Sequence, residues 1–216
     1  MRCTFHRQAQ LRAWAHEYAL VPSVAVPEDW PERAGFRTRG LAPLYQGDHL
    51  VALSGAFAAV NAIRLLVRDH GSLSITEEAA LLDAAWRWAK GRQTLQPGRG
   101  LRQGEFPRLI EGVCQWFGRT SGQFIGVSQP WRANYPGREE FFGVLERLIV
   151  SQHILVGLLV GAHYSVVRGY TPKSLLLFDS GGQCWIHRNA VDLHSGRQNA
   201  RHRFAAASML ALRRGG

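Results

Sequence analysis

The hydrophobic pattern of this 216-residue chain changes its period near residue 152, and this change limits the fold more than any other feature. Upstream, apolar residues recur every three or four positions, which is typical of helices packed on a core. Downstream, short runs rich in Val, Ile and Leu are separated by Gly, Pro and Ser, which is typical of strands joined by turns. Helices in one part of the chain and consecutive strands in the other predict an α+β fold.

The periodicity places individual elements on the chain. Residues 55–68 are apolar on most sides, which predicts a buried helix. Ser74 and Glu77 have the spacing of a capping box at the start of the next helix, and Gly118 is predicted to end the one after it. We predict helices over 8–20, 55–68, 75–90, 105–117 and 137–151, and strands over 123–127, 154–160, 163–170, 174–180 and 184–191.

The length suits one domain or at most two small ones. Residues 1–40 are predicted to form an N-terminal helix and an extended arm, because prolines recur from residue 22 onward. Residues 41–216 are predicted to form one compact catalytic domain.

Charge and cysteine content limit the cellular compartment and the kinds of partner that the sequence predicts. The chain has 26 basic and 16 acidic residues, and Lys90 and Lys173 are its only lysines. A net charge of +10 favours anionic partners. The arginines are spread along the chain with no aromatic and basic stripe, so a nucleic-acid partner is not favoured. No apolar run is long enough to span a membrane, and the N-terminus has no signal-peptide pattern. With three scattered cysteines, this predicts a cytoplasmic protein.

Four polar residues stand where acyl-transfer chemistry needs them. Ser54 comes just before the buried helix, and Gln46 lies eight residues upstream. His163 begins one predicted strand and Asp179 ends the next, so a hairpin brings them side by side. An imidazole held by a carboxylate, near a hydroxyl at a helix N-terminus, is a constellation for nucleophilic catalysis.

The runs QGDHLVALSGAFAAVNAIRLL and GAHYSVVRGYTPKSLLLFDSGG together resemble the papain-like cysteine peptidase superfamily. The resemblance extends over residues 41–185 and is strongest to compact bacterial peptidases of the double-glycine, bacteriocin-processing type. It implies a papain-like fold and cleavage of a peptide or isopeptide bond through an acyl-enzyme. By position, Gln46 is expected to bind the oxyanion, Ser54 to stand at the nucleophile position, His163 to act as base and Asp179 to orient it.

The nucleophile of that superfamily is cysteine, whereas this chain has serine. Three explanations are open: an inactivating substitution, a natural serine variant, and a natural pseudoenzyme. The alternative from local structure is that Ser54 only caps a core helix. The corresponding alternative function is an inactive binding module for an acidic protein or a nucleic acid.

Further residues are candidates for substrate binding. Arg92, Arg99 and Arg102 form a basic loop that is expected to dock a substrate, and Trp185 is expected to lie near His163 and Asp179. The loop lacks a phosphate-binding motif, and Cys184 and the histidines after it match no common zinc spacing, so neither cofactor nor metal is expected. The C-terminal ALRRGG resembles a ubiquitin-like tail, which suggests a peptide or protein substrate in a ubiquitin-like modification pathway.

Overall fold

The computed structural model describes residues 34–36, 41–44, 54–91, 101, 104–131, 136–159, 163–193, 202–203 and 206–215. The helices are α1 (Ser54–Val67), α2 (Ile75–Gly91), α3 (Phe106–Ser121) and α4 (Arg138–Val150). The strands are β1 (Ala34–Gly35), β2 (Ile125–Ser128), β3 (Ile154–Leu159), β4 (His163–Tyr170), β5 (Ser174–Phe178), β6 (Trp185–His187), β7 (Val191–Asp192), β8 (His202–Arg203) and β9 (Leu210–Arg214). Helices and an antiparallel sheet confirm the predicted α+β class.

Seven strands form the main sheet in the order β2–β9–β3–β4–β5–β6, with β1 also paired to β4. All of these pairs are antiparallel, and β3 to β6 form a meander in which each strand pairs with the next. Strand β9 was not predicted. It lies between β2 and β3, where Leu212 faces both Val127 and Ile154. The ALRR part of the C-terminal motif is therefore a strand inside the sheet.

The predicted helix ends agree with the structure within one residue for α1, α2 and α4. The prediction that α3 ends at Gly118 was wrong, since the helix continues to Ser121. It ends at Gly122, which has a left-handed φ of 72° and donates its N–H to the Gly118 carbonyl. A glycine stops a helix only where its backbone turns left-handed, and Gly118 keeps helical geometry. The predicted strand over 184–191 is interrupted: β6 covers 185–187, a 3-10 turn covers 188–190, and β7 begins at Val191.

The core has two parts, one on each face of the sheet. Helices α1, α2 and α3 pack with Tyr164 and Val166 of β4 on one face, whereas α4 packs with Val167 on the other. This division follows from the alternation of side chains along a strand. All 14 residues of α1 are buried, as its apolar composition predicts. Among the described residues, no helix has both the length and the apolar character of a membrane span.

One buried arginine ties the chain before α1 to the core. Arg64 on α1 pairs with Glu78 at 2.5 Å and donates a hydrogen bond to the Ala42 carbonyl. Asn61, one turn earlier, accepts from the Leu44 amide at 2.8 Å and donates to the Leu44 carbonyl. Residues 41–44 are therefore fixed on α1. The predicted helix over 8–20 lies outside the described residues.

Candidate functional site

The hairpin of β4 and β5 brings together the predicted imidazole and carboxylate. His163 is the first residue of β4, and Asp179 directly follows the last residue of β5. The pairing of Val166 with Phe178 places the two residues at the same end of the hairpin. His163 Nε2 lies 2.7 Å from Asp179 Oδ1. Residues 16 positions apart in the chain thus form a direct contact, as the hairpin argument predicts.

The turn after β5 completes the hydrogen bonding of the Asp179 carboxylate. Asp179 Oδ2 accepts the backbone N–H groups of Gly181 at 2.9 Å and Gln183 at 3.3 Å. The side chain is only 1% exposed, so these donors offset the cost of burying a carboxylate. Gly181 also leaves room for the pair, since a Cβ there would lie 3.1 Å from Oδ2 and 3.4 Å from His163 Nε2.

The contact with Asp179 determines which nitrogen of His163 can act as a base. A carboxylate accepts a hydrogen bond, so it favours the neutral tautomer that carries its proton on Nε2. The lone pair is then on Nδ1. The His163 side chain is 20% exposed, whereas the carboxylate behind it is buried. The imidazole is thus hydrogen-bonded to a buried carboxylate on one side and accessible to solvent on the other.

Ser54 lies beside the start of β4. It is the first residue of α1, and its Oγ accepts a hydrogen bond from the backbone N–H of Tyr164 at 3.2 Å. Tyr164 follows His163, so the hydroxyl lies next to the backbone that carries the imidazole. The position also benefits from the positive end of the α1 dipole and its N-terminal amides, which favour a developing anion.

Tyr164 fixes the start of β4, a role that the sequence reasoning missed. Its ring stacks on Phe106 of α3 with centroids 3.9 Å apart, and its hydroxyl donates to the Leu101 carbonyl at 3.4 Å. Burial, and then the negative charge of Glu105, raise the pKa of this phenol above its ordinary value. The signal in the sequence is strand alternation, which places Tyr164 on the face opposite to His163.

The other predicted site residues have different outcomes. Gln46, Arg92, Arg99 and Arg102 lie outside the described residues. Trp185 lies on β6 and is 40% exposed, whereas the next residue is buried, so Trp185 is not a core residue.

The two described cysteines are not activated nucleophiles. Burial, with a smaller effect of Glu111, raises the pKa of Cys114 to about 12, and this residue is 4% exposed. Burial also raises the pKa of Cys184, whose Sγ donates to the Gly182 carbonyl at 3.6 Å. Within the described ranges, no group of three or more His, Cys, Asp and Glu residues is arranged to hold a metal ion.

This arrangement is chemically suited to proton transfer at a hydroxyl. It combines an imidazole oriented by a buried carboxylate, a serine at a helix N-terminus and amide dipoles directed at that end. No model of a known protein family matches the chain, and no curated protein matches its sequence.

Proposed function

We propose that this chain has a papain-like fold and hydrolyses a peptide or isopeptide bond at a site formed by Ser54, His163 and Asp179. The observation that carries the proposal is the 2.7 Å contact between His163 Nε2 and Asp179 Oδ1. The Ser54 hydroxyl accepts the backbone N–H of Tyr164, the residue that follows His163. The resemblance in sequence assigns the same three positions, and it adds Gln46 as an oxyanion donor.

The proposed reaction has two halves, acylation and deacylation of Ser54, and His163 acts as base and then as acid in each. His163 Nδ1 takes the Ser54 proton while Oγ attacks the substrate carbonyl carbon, and Asp179 stabilises the imidazolium that forms. The imidazolium then protonates the departing amine, which leaves an acyl ester on Ser54. Water, deprotonated by His163, hydrolyses this ester and restores the hydroxyl. The N-terminal amides of α1 stabilise the oxyanion in both halves.

A second candidate function is an inactive binding module, and one observation favours it. Ser54 is 1% exposed, and its Oγ already accepts the Tyr164 N–H. Attack on a substrate therefore requires a local opening around Ser54. In a binding module the same hydrogen bond only joins α1 to β4.

The first experiment uses the chain as it is. A fluorophosphonate probe forms a stable adduct only with a serine whose proton is taken by a base. We expect labelling of the unmodified protein at Ser54, and loss of labelling in Ser54→Ala and in His163→Ala. Ser74→Ala is the matched control, because Ser74 also stands at a helix start, and it should label as the unmodified protein does.

The second experiment tests whether position 54 activates a nucleophile even when the serine hydroxyl is replaced. In Ser54→Cys, His163 should lower the thiol pKa from its ordinary value of about 8.5, so that iodoacetamide reacts well below neutral pH. Adding His163→Ala should move the labelling profile back toward that value. Ser174→Cys is the control for a buried serine on β5, and peptide mapping separates these adducts from those of Cys3, Cys114 and Cys184.

The two experiments together decide between the candidates. Labelling of Ser54→Cys without fluorophosphonate labelling of the unmodified protein indicates a nucleophile position whose serine is inactive. No enhanced labelling in either experiment contradicts the enzyme and leaves the binding module. The ubiquitin-like substrate receives no support from the C-terminal motif, since residues 210–214 pair within the sheet.

A further inference from the structure

A groove of about 430 Å³ lies over β2 and β9, at the edge of the sheet. The residues that matter for its shape and charge are Phe124, Gly126, Ser128, His153, Arg213 and Arg214. The groove is remote from the candidate active site. Strand β3 has Ile154 beside β9 and Leu159 opposite His163, and five residues of strand span roughly 17 Å.

Strand register explains why the groove is open. Gly126 pairs with Arg213, and Ser128 pairs with Ala211, so these residues share one face of the sheet. Gly126, Ser128 and Ala211 have little or no side chain, so the floor of the groove lies close to the backbone. Phe124, two residues before Gly126, is 72% exposed and forms an apolar wall.

The lining of the groove is cationic. Arg213 is exposed, Arg214 and His153 are partly exposed, and no carboxylate is among the lining residues. Among the strands that the structure describes, β2 pairs only with β9, so its outer edge presents backbone donors and acceptors. The groove therefore combines the Arg213 guanidinium group, an apolar wall and a strand edge.

We propose that this groove docks an extended acidic segment of a partner protein. Its carboxylates pair with Arg213, an apolar side chain packs on Phe124, and its backbone extends the sheet at β2. A peptide fits better than a nucleic acid, because only a peptide uses the backbone groups of a strand edge. Single-stranded nucleic acids also bind through successive aromatic side chains on which their bases stack, and the groove lining has a single Phe, Tyr or Trp residue, Phe124.

The test uses a defined probe on the full chain. The probe is a fluorescein-labelled, end-capped peptide of repeating Glu-Glu-Val-Val, about eight residues long, which spans roughly 26 Å as a strand and presents both Glu and Val on each face. Fluorescence anisotropy at physiological ionic strength should show saturable binding. The same peptide with Gln in place of Glu should bind at least about tenfold more weakly, since charge-assisted hydrogen bonds are lost.

One variant separates the groove from general attraction to a basic protein. Gly126→Val fills the floor and leaves every charge in place. A Cβ at Gly126 meets its nearest described atoms at 3.7 and 3.9 Å, so the backbone does not have to move. We expect binding to fall at least about tenfold in Gly126→Val, and by a similar factor in Arg213→Gln. Arg87→Gln is the charge-matched control, because Arg87 is 74% exposed on α2, and it should bind as the unmodified chain does.

Two results would overturn the proposal. One is unchanged peptide binding by Gly126→Val, which would assign the attraction to overall charge. The other is tighter binding of a single-stranded oligonucleotide with the same dependence on Gly126 and Arg213. The proposal is independent of the catalytic one, so Ser54→Ala should bind the peptide normally whatever its labelling result.

Discussion

Two serines at the starts of neighbouring helices make different hydrogen bonds, one within its own helix and the other with a distant strand. Ser74 precedes α2 and is exposed, and its Oγ accepts the N–H of Glu77, three residues away. The Glu77 carboxylate in turn accepts the Ser74 N–H at 2.7 Å, which completes a capping box. Ser54 is the first residue of α1 and is buried, and its Oγ accepts an N–H from Tyr164, 110 positions along the chain.

The difference shows what a helix-start serine can be used for. At Ser74 the hydroxyl satisfies the backbone of its own helix, which is the ordinary role of such a residue. At Ser54 the hydroxyl joins α1 to the strand that begins with His163. The prediction that Ser54 only caps its helix does not account for this long-range contact with the backbone of β4.

The largest effect is expected from Asp179→Ala. This change removes the acceptor of the Gly181 and Gln183 amides and the partner of His163. Leaving these donors unsatisfied should lower the free energy of unfolding by about 3 kcal/mol, measured by urea denaturation. Asp179→Asn keeps one side-chain oxygen that can accept these hydrogen bonds, so its loss of unfolding free energy should be clearly smaller. A loss below about 1 kcal/mol in Asp179→Ala would show that the carboxylate is not held as described.

The two serines should differ in stability as well as in reactivity. Ser54→Ala leaves the Tyr164 N–H buried without this acceptor and should cost about 2 kcal/mol of unfolding free energy. Ser74→Ala loses a surface cap and should cost about 1 kcal/mol. Thermal and urea unfolding of the two variants side by side measure this. Equal losses of unfolding free energy in the two variants would contradict the conclusion that the Ser54 hydroxyl stabilises the contact between α1 and β4.

Gly181→Ala tests the fit of the imidazole on its turn. The new Cβ would lie 3.1 Å from Asp179 Oδ2 and 3.4 Å from His163 Cε1, so the pair must shift by a few tenths of an ångström. In the Ser54→Cys background, iodoacetamide labelling at pH 6 should slow several-fold, while stability changes by less than about 1 kcal/mol. Gly182 has a left-handed φ of 85°, so it is no substitute control, and Gly137→Ala, with open space around its Cβ, serves instead.

The smallest effect concerns the capping box. The backbone and then the side chain of Ser74 lower the pKa of Glu77 by hydrogen bonding to its carboxylate. A lowered folded-state pKa adds stability at neutral pH, and this stability is lost as pH falls through that pKa. Glu77→Gln should therefore be slightly less stable than the unmodified chain at pH 7, since solvent screens this exposed carboxylate. The difference should shrink below about pH 4, in urea unfolding measured at several pH values. A difference that does not depend on pH would contradict the role of the carboxylate charge.

Much of the local structure could be predicted from the sequence. The apolar surface of α1, the Ser74 and Glu77 spacing and the alternating runs of β4 and β5 each carry a local signal. The contact between His163 and Asp179 was also predictable, since it needs only a hairpin and its register. Strand β9 was missed, because its pairing with β2 and β3 depends on residues far away in sequence.

Local signals are enough for the helix and strand pattern and for the hairpin that pairs His163 with Asp179, because periodicity and turns act over a few residues. Long-range packing brings the Ser54 hydroxyl to the Tyr164 amide, buries the Asp179 carboxylate next to the imidazole, and makes the ALRR segment a strand. It also places Gly126 and Arg213 on one open face of the sheet. These features depend on register and packing between distant segments, which no short window of sequence contains.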